Sequence, residues 1–135
     1  MSARSKARKR ALDLVYGADV RGETIPVAVA AEAARLDPAR ASSWPYAREI
    51  AEGVHEHQAE IDELIETYAQ GWTLNRMPAV DRALLRIGLW EILFNDEVPD
   101  SVAIAEAVES ATVHSTEESA GFVNGLLGRI AATRA

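Results

Sequence analysis

Apolar positions along this chain recur three and four residues apart, and no stretch alternates with the two-residue period of a half-buried strand. The pattern predicts an all-α fold. Ala7, Ala11, Leu14, Val15 and Ala18 mark the buried face of a first helix over about 3–18. Ser5, Lys9 and Tyr16 fall on the opposite side, and Lys9 and Tyr16 share one edge two turns apart. Gly17 weakens the last turn, and Arg21-Gly22 marks the exit. A short second helix is predicted over 26–35, capped by Thr24 and stopped at Asp37-Pro38.

The third helix, over 45–70, carries a seam of Ala47, Ile50, Val54, His57, Ile61, Leu64, Ile65 and Tyr68, with a kink expected near His57. The fourth, over 78–94, is apolar on two sides. Val80, Ala83, Leu84, Ile87, Trp90 and Phe94 lie on one and Leu85, Leu89 and Ile92 on another, so it is predicted to be the central helix. A fifth helix follows over 100–113. Ser115 and Glu118 then stand at capping-box spacing before a last helix that ends near 131. Gly121, Gly125 and Gly128 interrupt that helix, each at a cost of up to about 1 kcal/mol against Ala. They predict a close approach by another helix or a ligand. The result is one compact bundle of six or seven helices, a single domain over 1–135.

Cysteine is absent, which excludes disulfide frameworks, Cys-ligated zinc and thiol nucleophiles. The longest apolar run, 25–31, is far too short for a membrane span, and Asp13 and Asp19 break any signal-peptide core behind the basic start. A cytoplasmic protein with no membrane association is expected. The net charge of −7 at first speaks against nucleic acid. Its distribution changes that picture. Residues 1–10 hold Arg4, Lys6, Arg8, Lys9 and Arg10 and no acid, while the other 125 residues hold 9 basic and 21 acidic side chains. The chain is an acidic body with a basic head, a pattern that points to a charged partner.

Glu52 and His55 have the Glu-x-x-His spacing of di-iron bundles, but the second motif such a site needs is missing. No nucleophile elbow, Walker loop or Gly-x-Gly-x-x-Gly run occurs. No catalytic residue, metal site or cofactor is therefore expected. The basic head leads into an amphipathic helix that presents Tyr16, and basic charge with an exposed ring suits single-stranded nucleic acid. The acids of the third helix offer a face for a basic protein, without indicating which of them matter.

Four stretches resemble the NusB family of transcription antitermination factors. They are RSKARKRALDLVY (4–16), VDRALLRIGLWEIL (80–93), VPDSVAIAEAV (98–108) and EESAGFVNGLL (117–127), in family order across nearly the whole chain. The resemblance implies two packed helical sub-bundles that bind boxA-type RNA of ribosomal RNA transcripts. It implies pairing with NusE, a ribosomal protein, and entry into the RNA polymerase elongation complex with other Nus factors. It leaves a homodimer open as a further state. Carried over by motif, the RNA-binding residues are Arg4, Lys6, Arg8, Lys9, Tyr16, Phe122 and Asn124. Ala105 and Gly121 depart from the family's usual Asn and basic residue. Two rival readings are the bundle domain of ribosomal RNA cytosine methyltransferases and a helical scaffold whose head binds acidic proteins.

Overall fold

Ser2 sets the start of the first helix. Its hydroxyl accepts the Ser5 N–H at 3.0 Å, pairing one of the amides that a helix start leaves without a partner. From there α1 runs over Ala3–Arg21, about a turn further than its apolar pattern predicts. Gly17 does not end it. The stop is Gly22, whose φ of +68° lets the chain fold back so that the N–H groups of Gly22 and Glu23 reach the carbonyls of Asp19 and Ala18.

The computed structural model describes residues 2–134. In it α2 spans Ile25–Ala34, α3 Trp44–Tyr68, α4 Ala79–Phe94, α5 Asp100–His114 and α6 Ser119–Thr133. Short 3-10 turns, Pro38–Arg40 and Leu74–Arg76, lead into α3 and α4. Among the described residues there is no strand, and the all-α expectation holds.

α4 is the axis of the molecule, as its two apolar faces predicted. Every residue from Asp81 to Ile92 except Arg82 is buried. The helices α1, α3, α5 and α6 pack around it, α2 leans on α1 and α3, and α5 pairs with α6. The predicted kink in α3 is present at His57, with φ −109° and ψ +15°. There the imidazole stacks on Phe94, ring centroids 3.7 Å apart.

At α6 one sequence expectation fails and another is narrowed. The capping box does not form. Ser115 ends α5, and its hydroxyl donates instead to Asp81 Oδ1 at 2.5 Å, while Ser119 donates to Asp81 Oδ2 at 2.8 Å. Asp81 is a buried carboxylate, so leaving it without donors would cost more than a helix start without a side-chain cap. No neighbouring helix makes the close approach predicted for Gly121, Gly125 and Gly128, which leaves the ligand alternative. A side chain at Gly121 or Gly128 would meet nothing, and one at Gly125 only the end of Arg129. α6 buries Val123, Leu126, Leu127 and Ile130 and turns its glycines outward. The tight contacts lie at Gly53, against Trp90, and Gly88, against Leu127.

Candidate nucleic-acid interface

Folding pairs most of the basic head with acids of the chain's own body. Arg8 Nε donates to both oxygens of Glu91 at 3.0 Å, and its Nη1 reaches Glu106 at 3.0 Å. Arg10 bonds Glu32 at 3.1 Å and the Arg40 carbonyl at 2.9 Å. Lys9 pairs with Asp13 at 2.7 Å, one turn on. Arg4 lies 3.6 Å from Glu97, with its guanidinium 4.4 Å from the ring centre of Tyr46. Among the described residues, Lys6 is the member of the head with no acidic partner.

Arg8 belongs to a closed polar network. Glu91 is 1% exposed and also accepts the Tyr46 phenol, which in turn accepts Asn95 Nδ2 at 3.0 Å. Ser5 donates to Glu106 at 2.6 Å. Burial alone would lower the pKa of Arg8, but the hydrogen bond and charge of Glu91 outweigh it and hold the guanidinium above its ordinary value. Burial and the neighbouring Glu91 push the Tyr46 phenol far above its ordinary range. Arg8 is thus engaged in anchoring α1 on α4 and α5, which leaves little of its guanidinium open to a phosphate. Its charge is enclosed, and exposing it would strand Glu91.

The face left open on α1 is narrower than the sequence suggests. Lys6, Lys9 and Tyr16 lie in one sector of the helix at ~100° per residue, with Lys6 and Tyr16 exposed and the Lys9 side chain 42% exposed. Arg4 stands apart, on the side facing Tyr46. The Lys9–Asp13 pair is a surface pair of the kind worth about 0–1 kcal/mol, so a phosphate can displace Asp13.

Phe122 and Asn124 lie elsewhere. Phe122 is half-buried on α6, its ring 5.4 Å from that of Trp72 and tilted by 42°. The two rings border an open groove of about 770 Å³, with Gly121, Gly125, Arg129 and Glu118 also lining it. Asn124 is exposed in mid-helix, where it caps no helix end. The head sits over Glu91, and Ser119 holds the start of α6 beside Asp81. These anchors are ten residues apart on α4, or about 15 Å at 1.5 Å per residue. α1 runs back along α4 from Arg8 at Glu91 to Asp19 at Arg82, so Lys6 and Lys9 lie towards the far end from the Trp72–Phe122 pair while Tyr16 lies towards the Asp81 end.

Sequence reasoning missed Trp72 and Arg129. Trp72 is 50% exposed, whereas Trp44 and Trp90 are core residues. Its place in the turn behind Gly71, outside any apolar seam, was the available signal. Arg129 donates to the Tyr68 carbonyl at 3.3 Å and has no acidic partner among the described residues.

The model of the NusB family matches residues 5–132. The chain is 70% identical to the transcription antitermination protein NusB of Leifsonia xyli subsp. xyli, covering 97% of this chain and 92% of that one. The protein of the same name from Beutenbergia cavernae is 57% identical, covering 96% and 90%. Among solved structures, Thermotoga maritima NusB superposes with a TM-score of 0.86 at 34% identity, covering 96% and 90%. A crystal structure of the antitermination factors NusB and NusE in complex with double-stranded RNA superposes with a TM-score of 0.84 at 26% identity, covering 98% of each chain.

Proposed function

The chain belongs to the NusB family, and from that premise we propose that it is a transcription antitermination factor that binds boxA-type single-stranded RNA of ribosomal RNA transcripts together with NusE. The complex joins the RNA polymerase elongation complex with other Nus factors, and transcription continues past terminators. The observation that carries this reading is the 70% identity, over 97% of the chain, to a relative named for antitermination. The chain acts as one RNA-binding domain, by binding rather than catalysis, in the bacterial cytoplasm.

The RNA contacts are Arg4, Lys6, Lys9 and Tyr16 on α1 and Phe122 and Asn124 on α6. The cations hold phosphates, the rings stack on bases, and the free amide of Asn124 is placed to read a base edge. Arg8 contributes indirectly by fixing α1 to α4 and α5 through Glu91 and Glu106, which holds the open face of α1 in place.

The test is titration with boxA RNA, a scrambled single strand and a duplex of the same sequence, each with and without NusE. Tighter binding of single-stranded boxA, tightened again by NusE, is expected. Equal affinity for boxA and the scrambled strand under both conditions would refute the reading.

A further inference from the structure

We propose that the groove between Trp72 and Phe122 is a subsite for one unpaired nucleobase, with the adjoining phosphate held by Arg129. The proposal rests on the RNA-binding reading above and adds residues to it. Trp72 is the exposed tryptophan of the three in the chain, and its ring stands 5.4 Å from Phe122 at 42°. Two rings that meet at an angle on an open groove leave each other's faces partly free, and a base can stack there. Such stacking tolerates any base, because every base has a π-face.

The α6 side of the groove is opened by two glycines. Gly121 and Gly125 lie one turn apart on α6, and an added Cβ at Gly121 would touch nothing. Helix glycines that face neither a packed helix nor a turn carry a propensity cost that the fold does not need. Open space beside two aromatic rings gives that cost a use.

The charges give the groove a direction. Arg129 lines one end without an acidic partner among the described residues, and Glu118 lies eleven residues earlier, just before the first residue of α6 and about 16 Å away along its axis. The other carboxylate in the lining, Asp81, is buried and holds the hydroxyls of Ser115 and Ser119, so it presents little charge to a ligand. A phosphate is therefore drawn to the Arg129 end, with its base over the rings.

The experiment uses the full chain and a single-stranded boxA oligonucleotide. Gly121→Leu fills the groove at a position where nothing clashes, and Gly128→Leu is the control at an equally open position outside it. Circular dichroism confirms the fold of both. Trp72→Ala and Gly121→Leu are each expected to weaken RNA binding about tenfold, within the range of one lost stack, while Gly128→Leu does not. RNA is also expected to quench the exposed tryptophan emission, and Trp72→Phe to remove that quenching. Replacing nucleotides by abasic ones, one at a time, should reveal one position whose effect disappears in Trp72→Ala. Wild-type affinity in both Trp72→Ala and Gly121→Leu overturns the proposal. So does loss of NusE binding at unchanged RNA affinity, which would make the groove a protein-docking site. If the wild-type chain binds no RNA at all, the functional reading itself fails, an outcome distinct from either.

Discussion

The indole of Trp90 occupies the space where Gly53 would carry a side chain: its Nε1 lies 2.0 Å from an ideal Cβ at that position. This contact sets how closely α3 and α4 approach, because neither partner has room to yield. Gly53 is buried and Trp90 is 5% exposed. The glycine is a packing requirement, at a position where the chain is helical and needs no unusual backbone angle.

Gly53→Ala is therefore expected to destabilise the protein, although alanine is the better helix former. Overpacking of this kind costs about 1–3 kcal/mol, against about 1 kcal/mol regained in helix propensity. A urea melt should show a lower midpoint. A midpoint equal to or above that of the wild type would contradict the contact.

Removing Arg8 leaves Glu91 buried without its cation. Arg8→Ala is expected to cost about 3–5 kcal/mol, little changed between low and high salt because the pair is shielded from solvent. The double variant Arg8→Ala/Glu91→Gln should lose less than the two single changes combined, since each single change strands the other group. Strict additivity in thermal melts would show that the two do not act as a pair.

The salt dependence of RNA binding separates open cations from committed ones. Three cations of the head remain accessible, Arg4, Lys6 and Lys9. With a slope of about −0.7 per phosphate on single strands, a plot of log K against log salt should fall with a slope of about −2 from the head, plus the Arg129 contact. Lys6→Ala should reduce the slope by about 0.7 without affecting the thermal melt. An unchanged slope would remove Lys6 from the interface.

Glu32 ties α2 to α1 and to its own helix end. Its hydrogen bond to Arg35 is the largest influence, and together with Arg10 it outweighs partial burial and holds the carboxyl below its ordinary value. A carboxyl lowered in the folded state contributes stability that is complete above its unfolded pKa and disappears as pH falls through the folded value. Glu32→Gln should thus narrow the gap in stability between neutral and acid pH. If the acid limb of the pH–stability curve keeps its shape, Glu32 carries no such linkage.

Much of the architecture could be read from the chain. The 3-4 periodicity located the helices, the two-sided pattern of 80–94 marked the axis, and Thr24, Gly22 and the step at His57 announced two boundaries and a kink. Tyr16 was correctly placed on the open side of α1, with 37% of its surface exposed. The misreadings have a common cause. Ser115 and Glu118 have capping-box spacing, but a buried acid thirty-four residues away claims the serine. Gly53 and Gly121 look alike in sequence, and only the helix opposite distinguishes a packed glycine from an open one.

The sequence by itself determined the helical class, the central position of α4 and the concentration of five basic side chains in the first ten residues, because periodicity and local charge are properties of neighbouring positions. Only the tertiary structure decided which of those charges face water. The partners of Arg8 lie eighty-three and ninety-eight residues away, and they become partners only when α4 and α5 bring Glu91 and Glu106 against α1. The same holds for Trp72 and Phe122, which are fifty positions apart in the chain and share one groove. Electrostatic pairing and stacking act over a few ångströms of space, and the fold rather than the order of residues sets that distance.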